Sequence, residues 1–106
     1  FNHESKIESC SIILDNPISN TTFDNWLDTL IGVKGSDILR IKGIVFLENI
    51  EAPFVFHGVQ HVFDPPVQLK NWPKKDRQSR IVVIARNLSQ FQLQRSLDML
   101  RIQTND

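Results

Sequence analysis

His57 and His61 stand four positions apart, the H-x-x-x-H spacing that places two imidazoles on one face of a helix and suits zinc. The surrounding stretch, "PFVFHGVQHVF", is rich in β-branched and aromatic residues and reads as a strand instead. In an extended chain these two side chains share a face but lie roughly 13 Å apart, at about 3.3 Å per residue. One metal ion needs each nitrogen at about 2 Å, so an extended pair cannot chelate it. The pair then reads as two half-exposed sheet histidines, and a metal site would need His3 or a ligand from outside.

The other chemistry-bearing residues are scattered. Cys10 is the sole cysteine, which excludes an internal disulfide framework and suits a reducing cytoplasm. It alternates with serines and isoleucines in an apolar stretch, as a buried structural thiol does. The run "WPKKDRQSR" places Lys74, Lys75, Arg77 and Arg80 beside Trp72. Cations beside an aromatic can grip phosphate or a single-stranded nucleic acid. Yet Asp76 dilutes the run, and 12 Lys and Arg balance 12 Asp and Glu over 106 residues. That neutrality argues against a nucleic-acid partner, whose phosphates reward a basic excess. Asp24, Asp28, Asp37, Glu48 and Glu51 form no close pair that suggests acid–base catalysis. No apolar run approaches the roughly 20 residues that span a bilayer. The chain begins at Phe1 rather than Met, as expected for a piece of a longer protein or a processed product.

Two helices and four strands must position these residues. Ile7 to Leu14 reads as a strand, closed by "DNP". Phe23, Trp26, Leu27, Leu30 and Ile31 lie on one helical stripe, with Thr21 or Thr22 as the cap and Gly32 just past the end. Leu39 to Leu47 and Phe54 to Phe63 read as further strands, and residues 64–79 as a long proline-containing loop. Ile81 to Ala85 is apolar enough for the middle of a sheet. Ser89 and Gln92 form a capping-box pair, Leu88 and Leu93 a staple, and Leu93, Leu97 and Leu100 one face of the second helix. The order is β-α-β-β-β-α. The expected fold is α+β, a four-stranded, mostly antiparallel sheet with both helices on one face.

Alternation divides the 39–47 strand into two rows. Leu39, Ile41, Gly43, Val45 and Leu47 face the helices. Arg40, Lys42, Ile44, Phe46 and Glu48 face away. Ile44 and Phe46 are large apolar residues on the uncovered side. Either the 64–79 loop folds back over them, or they dock another domain or protein. Gly43, mid-strand, signals a bulge or a close backbone approach.

The ordered set "FDNWLDTLI", "LRIKGI", "FHGVQH", a following tryptophan and "SRIVVIARNL" resembles the carboxy-terminal domain of CobW-type proteins. The matching residues are Leu39, Arg40, Lys42, Gly43 and Ile44, then Gly58, Val59 and Gln60, then Trp72, then Ser79, Arg80, Val82 and Ile84, with His3 ahead of them. The resemblance implies one domain over residues 1–106, following an upstream P-loop GTPase domain in a longer chain. It also implies a metallochaperone or cobalamin-synthesis role for the whole protein. GTP, magnesium, and zinc or cobalt would serve that whole protein. This chain has no G-x-x-x-x-G-K-[ST] and none of the family's cysteine metal motif, so it is expected to hold no cofactor and to catalyse nothing itself.

The function expected is therefore a non-catalytic interaction or regulatory module. Its partners would be its own GTPase domain or a metalloprotein client, with no nucleic acid and no membrane. Arg40, Lys42, Ile44, Phe46, Gln60 and Trp72 are the interface candidates. An independent small enzyme built on His57 and His61, or a nucleic-acid module using the 64–80 loop, is the alternative.

Overall fold

The computed structural model describes residues 6–59, 62–70 and 77–102. Four long strands and two short ones form a single sheet. They are β1 (Ile7–Leu14), β2 (Ile38–Val45), β3 (Phe54–Val59), β4 (Val62–Phe63), β5 (Val67–Gln68) and β6 (Ser79–Arg86). Helix α1 (Asn20–Lys34) joins β1 to β2, and α2 (Gln90–Asp98) follows β6. The strand order is β1-β6-β2-β3-β4, with β5 also on β3. Every strand pair is antiparallel, and one isolated parallel bridge links Ile18 to Leu47.

The sheet is larger than the expected four strands because residues 54–63 do not run straight. The chain reverses between Val59 and Val62, which pair with each other, as Gly58 does with Phe63. Inside the expected 64–79 loop, β5 pairs with the other end of β3, and the Leu69 amide donates to the Pro53 carbonyl at 2.9 Å. The outer edge of β3 is thus covered by two short strands, a common way to limit an exposed edge.

Strand β6 lies between β1 and β2, and its Ser79, Ile81, Val83 and Ala85 are all at most 1% exposed. Against them pack Cys10, Ile12 and Leu14 of β1, Ile41 and Val45 of β2, and Phe56 of β3. Both helices cover this face. Phe23, Trp26 and Leu30 come from α1, and Leu93 and Leu97 from α2. Phe23 meets Phe56 edge-on at 5.5 Å, and the Trp26 indole N–H donates to Ser96 Oγ at 3.0 Å, joining the two helices. Each such buried large side chain contributes about 1.5–3 kcal/mol through removal of apolar area from water.

Local chemistry explains where the elements begin and end. Ser89 and Gln92 make the expected reciprocal capping box. Helix α1 starts earlier than its apolar stripe, because Ser19, not Thr21 or Thr22, is the cap and accepts from the Thr22 amide. Gly32 sits inside that helix, and Gly35 is the residue that ends it. In β2 a bulge between Ile38 and Arg40 shifts the register. Ile38 is therefore fully buried in place of the expected Leu39, while Arg40, Lys42 and Ile44 keep the opposite face. No helix of the described residues is long and apolar enough to cross a membrane.

Gly43 marks a close approach rather than a bulge. A Cβ there would lie 2.8 Å from the Arg80 carbonyl oxygen and 2.9 Å from Phe56 Cε1. Gly43→Ala is expected to destabilise the chain by about 1–3 kcal/mol through overpacking. Thermal denaturation followed by circular dichroism would show this as a fall in Tm, and an unchanged Tm would refute it. Ser79 carries a second internal constraint, since its fully buried hydroxyl accepts from the Phe46 amide at 2.9 Å. Ser79→Ala removes that buried hydrogen bond at a cost of about 1–3 kcal/mol. Ser79→Thr, which keeps an acceptor, should cost less in the same assay.

Candidate interaction surface

Helices occupy one side of the sheet, so among the described residues the other side is built mainly from strand positions. Antiparallel pairing arranges it in rows. One row runs Ser11, Val82, Lys42, His57, and the next runs Ile13, Arg80, Ile44, Val55, Val67. Ser9, Ile84 and Arg40 form a third. Ile7, Ile13, Val59, Val62 and Val67 are 47–71% exposed, far above what scattered core residues show. Among the described residues, the ionic side chains at its strand positions are Arg40, Lys42, Arg80 and Arg86, and none of these positions holds Asp or Glu. Arg86 is tied at the margin, with Nε 3.6 Å from Asp37 Oδ1 and a hydrogen bond to the Ser36 carbonyl. Arg80 donates to Gln78 Oε1 at 3.0 Å.

The predicted interface residues separate here. Arg40 and Lys42 are exposed and Ile44 is half-buried on this face. Phe46 is not available to a partner, because it is 0% exposed. The Arg77 guanidinium stacks over its ring at 4.8 Å and also donates to the Glu51 and Ile50 carbonyls, at 2.9 and 3.3 Å. Arg77 thus fastens the β2–β3 connection over Phe46. Of the two readings of the apolar pair, loop coverage holds for Phe46. Gln60 and Trp72 lie outside the described residues, as do Lys74 and Lys75.

The predicted metal candidates also divide. His57 lies on β3 with Nδ1 3.2 Å from Asp64 Oδ2, and the Asp64 amide donates to the His57 carbonyl at 3.2 Å. The reversal after Val59 removes the premise of a straight strand from His57 to His61, so the 13 Å separation derived from it does not apply. His61 and His3 lie outside the described residues. Among the described residues, no three His, Cys, Asp or Glu side chains gather as a metal site. Cys10 is buried, its Sγ donates to Gln94 Oε1 at 3.2 Å, and burial pushes its thiol pKa up. Such a thiol is held in its unreactive form.

Sequence reasoning found the cations of this face but missed most of its apolar area. Alternation at Ile7, Ser9, Ser11 and Ile13 carried that signal in β1, and Val82 and Ile84 carried it in β6. Val62 and Val67 join the face only because the chain folds back twice beside β3. Their placement depends on pairing that periodicity cannot show.

The model of the cobalamin synthesis protein cobW C-terminal domain matches residues 7–101. No curated protein sequence matches the chain. Among solved structures, the Zn(II)-bound YjiA GTPase from E. coli is similar at 22% identity with a TM-score of 0.78, over 91% of this chain and 30% of that one. A Zn(II)-bound triple mutant of YjiA GTPase gives the same figures. At that identity the likeness establishes a shared fold, and the chain spans about a third of the YjiA length. With nearly its whole length matched by the family model, the chain belongs to the family of cobalamin synthesis protein CobW carboxy-terminal domains.

Proposed function

We propose that this chain is a non-catalytic docking module of a CobW-type GTPase metallochaperone, and that its open sheet face seats the GTPase domain of the longer protein. The observation that carries this reading is the face itself, a broad aliphatic surface whose only ionic strand positions are cationic. An apolar centre with charges at its margin is the anatomy of a protein interface. A nucleic acid would want aromatic rings for stacking, and among the described residues this face exposes none. YjiA, a GTPase bound to Zn(II), supports a role beside nucleotide and metal in the full-length protein. GTP, magnesium and zinc or cobalt would be handled outside this chain, whose sequence carries no G-x-x-x-x-G-K-[ST] and a single cysteine. A metalloprotein client is the other partner this surface could receive.

Arg40 and Lys42 should govern association more than affinity, as marginal charges do. Arg40→Ala with Lys42→Ala is expected to slow association with the separately supplied GTPase domain by about tenfold at low salt. Both residues are exposed, so the melting temperature should hold within an amount equivalent to about 0.5 kcal/mol. Surface plasmon resonance and thermal melting separate the two effects. Normal binding with a much lower melting temperature would make these cations structural. The isolated chain is also expected to show no GTP binding in calorimetry, because its glycines lie in no phosphate-cradling loop. Micromolar binding would overturn the division of labour proposed here.

A further inference from the structure

On the side of the molecule away from the open sheet face, α1 and α2 leave a groove of about 320 Å³ between them. Its floor is Trp26, Leu30 and Leu93, all buried, and its sides rise to Val33 and Met99. These last two are 68% and 49% exposed, so the apolar lining continues out to solvent instead of ending at the core. Lys34 and Arg95, in the last turns of their helices, also line it, and no carboxylate does. Cations at helix carboxyl ends are common because they oppose the macrodipole. That accounts for each one singly. It does not account for an apolar trough lying between them.

We infer that this groove receives an amphipathic, acidic helix from a partner polypeptide. Two helices with a gap between them present the ridges and trough into which a third helix packs. An apolar stripe at i, i+3, i+4 and i+7 is the usual occupant of such a groove. The carboxylates follow from charge complementarity, since an occupant flanked by Glu or Asp meets Lys34 and Arg95 with no opposing anion in the lining. A polypeptide is favoured over a small ligand because Val33 and Met99 lie at the outer margin, where a compact molecule on the floor would leave them wet. Met99 supplies an unbranched side chain that adjusts to the occupant's shape. The groove lies across the sheet from the proposed docking face, so both can be filled at once, and this inference does not depend on what that face binds.

The test uses two synthetic helical peptides of about 15 residues, long enough to hold helical structure. Each carries the same leucine stripe, flanked in one by glutamates and in the other by lysines. Methyl NMR signals of Val33 and Met99 report binding to the 106-residue chain. The glutamate peptide is expected to shift both signals, and the lysine peptide to bind at least about tenfold more weakly. Lys34→Glu with Arg95→Glu should reverse that preference. Val33→Ser, at an exposed position, should weaken the glutamate peptide while leaving the melting temperature in place. The inference is overturned if neither peptide moves the two signals, if both bind alike, or if the charge-reversed variant keeps its preference. Decanoate shifting them while the glutamate peptide does not would replace the helix with a small amphipathic carboxylate.

Discussion

The packing of β2 against β6 is the constraint from which the rest of the domain follows. These strands hold the sheet's centre, and they approach so closely at Gly43 that a methyl group would meet the Arg80 carbonyl, Phe56 and Ile81 together. That contact seats Phe56 against the helix-covered side, where Phe23 meets it edge-on. At the far end of the same pair, the Phe46 amide reaches the buried Ser79 hydroxyl, so β2 leaves the sheet without an unpaired donor. The Phe46 carbonyl then accepts from Ile18 at 2.8 Å, and the Glu48 amide donates back to Ile18 at 2.9 Å. The connection from β1 to α1 is thereby fixed to the end of β2, and with it the start of the helix.

Two helices can cover only one face of this sheet, and the alternation of the strands shows which. Legibility in the sequence tracked how local each signal was. The capping box of α2 involves residues three apart, and it is present as read. The stripe of α1 was legible for the same reason. Its boundaries were not, because Ser19 lies ahead of the apolar period and Gly32 is tolerated in a helix that Gly35 ends. The bulge at Leu39 reversed the facing of one residue, and only pairing with Ala85 and Ile84 reveals it. Likewise nothing local in "FHGVQHVF" announces the reversal after Val59, since its apolar residues would suit a longer strand equally well.

The candidate site divides along the same line. Arg40 and Lys42 were readable as outward cations because strand parity is local. Arg77 was not separable from its basic neighbours. Its role comes from reaching Phe46 and the Ile50 and Glu51 carbonyls of the β2–β3 connection, which are distant in sequence. A guanidinium that donates to two carbonyls and sits over a ring is committed to holding the fold. Of the basic run, Arg77 is thus tied into the fold, while Trp72, Lys74 and Lys75 lie outside the described residues.

A formal charge of zero conceals how the charges are arranged. The 12 cations and 12 anions cancel in the count, yet the open face holds Arg40, Lys42, Arg80 and Arg86 at its strand positions, where no described residue is Asp or Glu, and Asp64 reaches it beside His57. The groove between the helices repeats the pattern with Lys34 and Arg95. Other anions lie off it. Asp24 and Asp28 are on the exposed side of α1, and Glu48 and Glu51 are in the β2–β3 connection. Such segregation leaves no long-range field to gather polyanions, because at physiological salt charges more than about 8 Å apart are largely screened. It does give each apolar surface its own local sign. A partner is then selected at contact distance, by whether its carboxylates fall where these cations are, rather than by bulk attraction. Recognition of that kind is what the proposed docking role would require, and it is invisible to any count of residues.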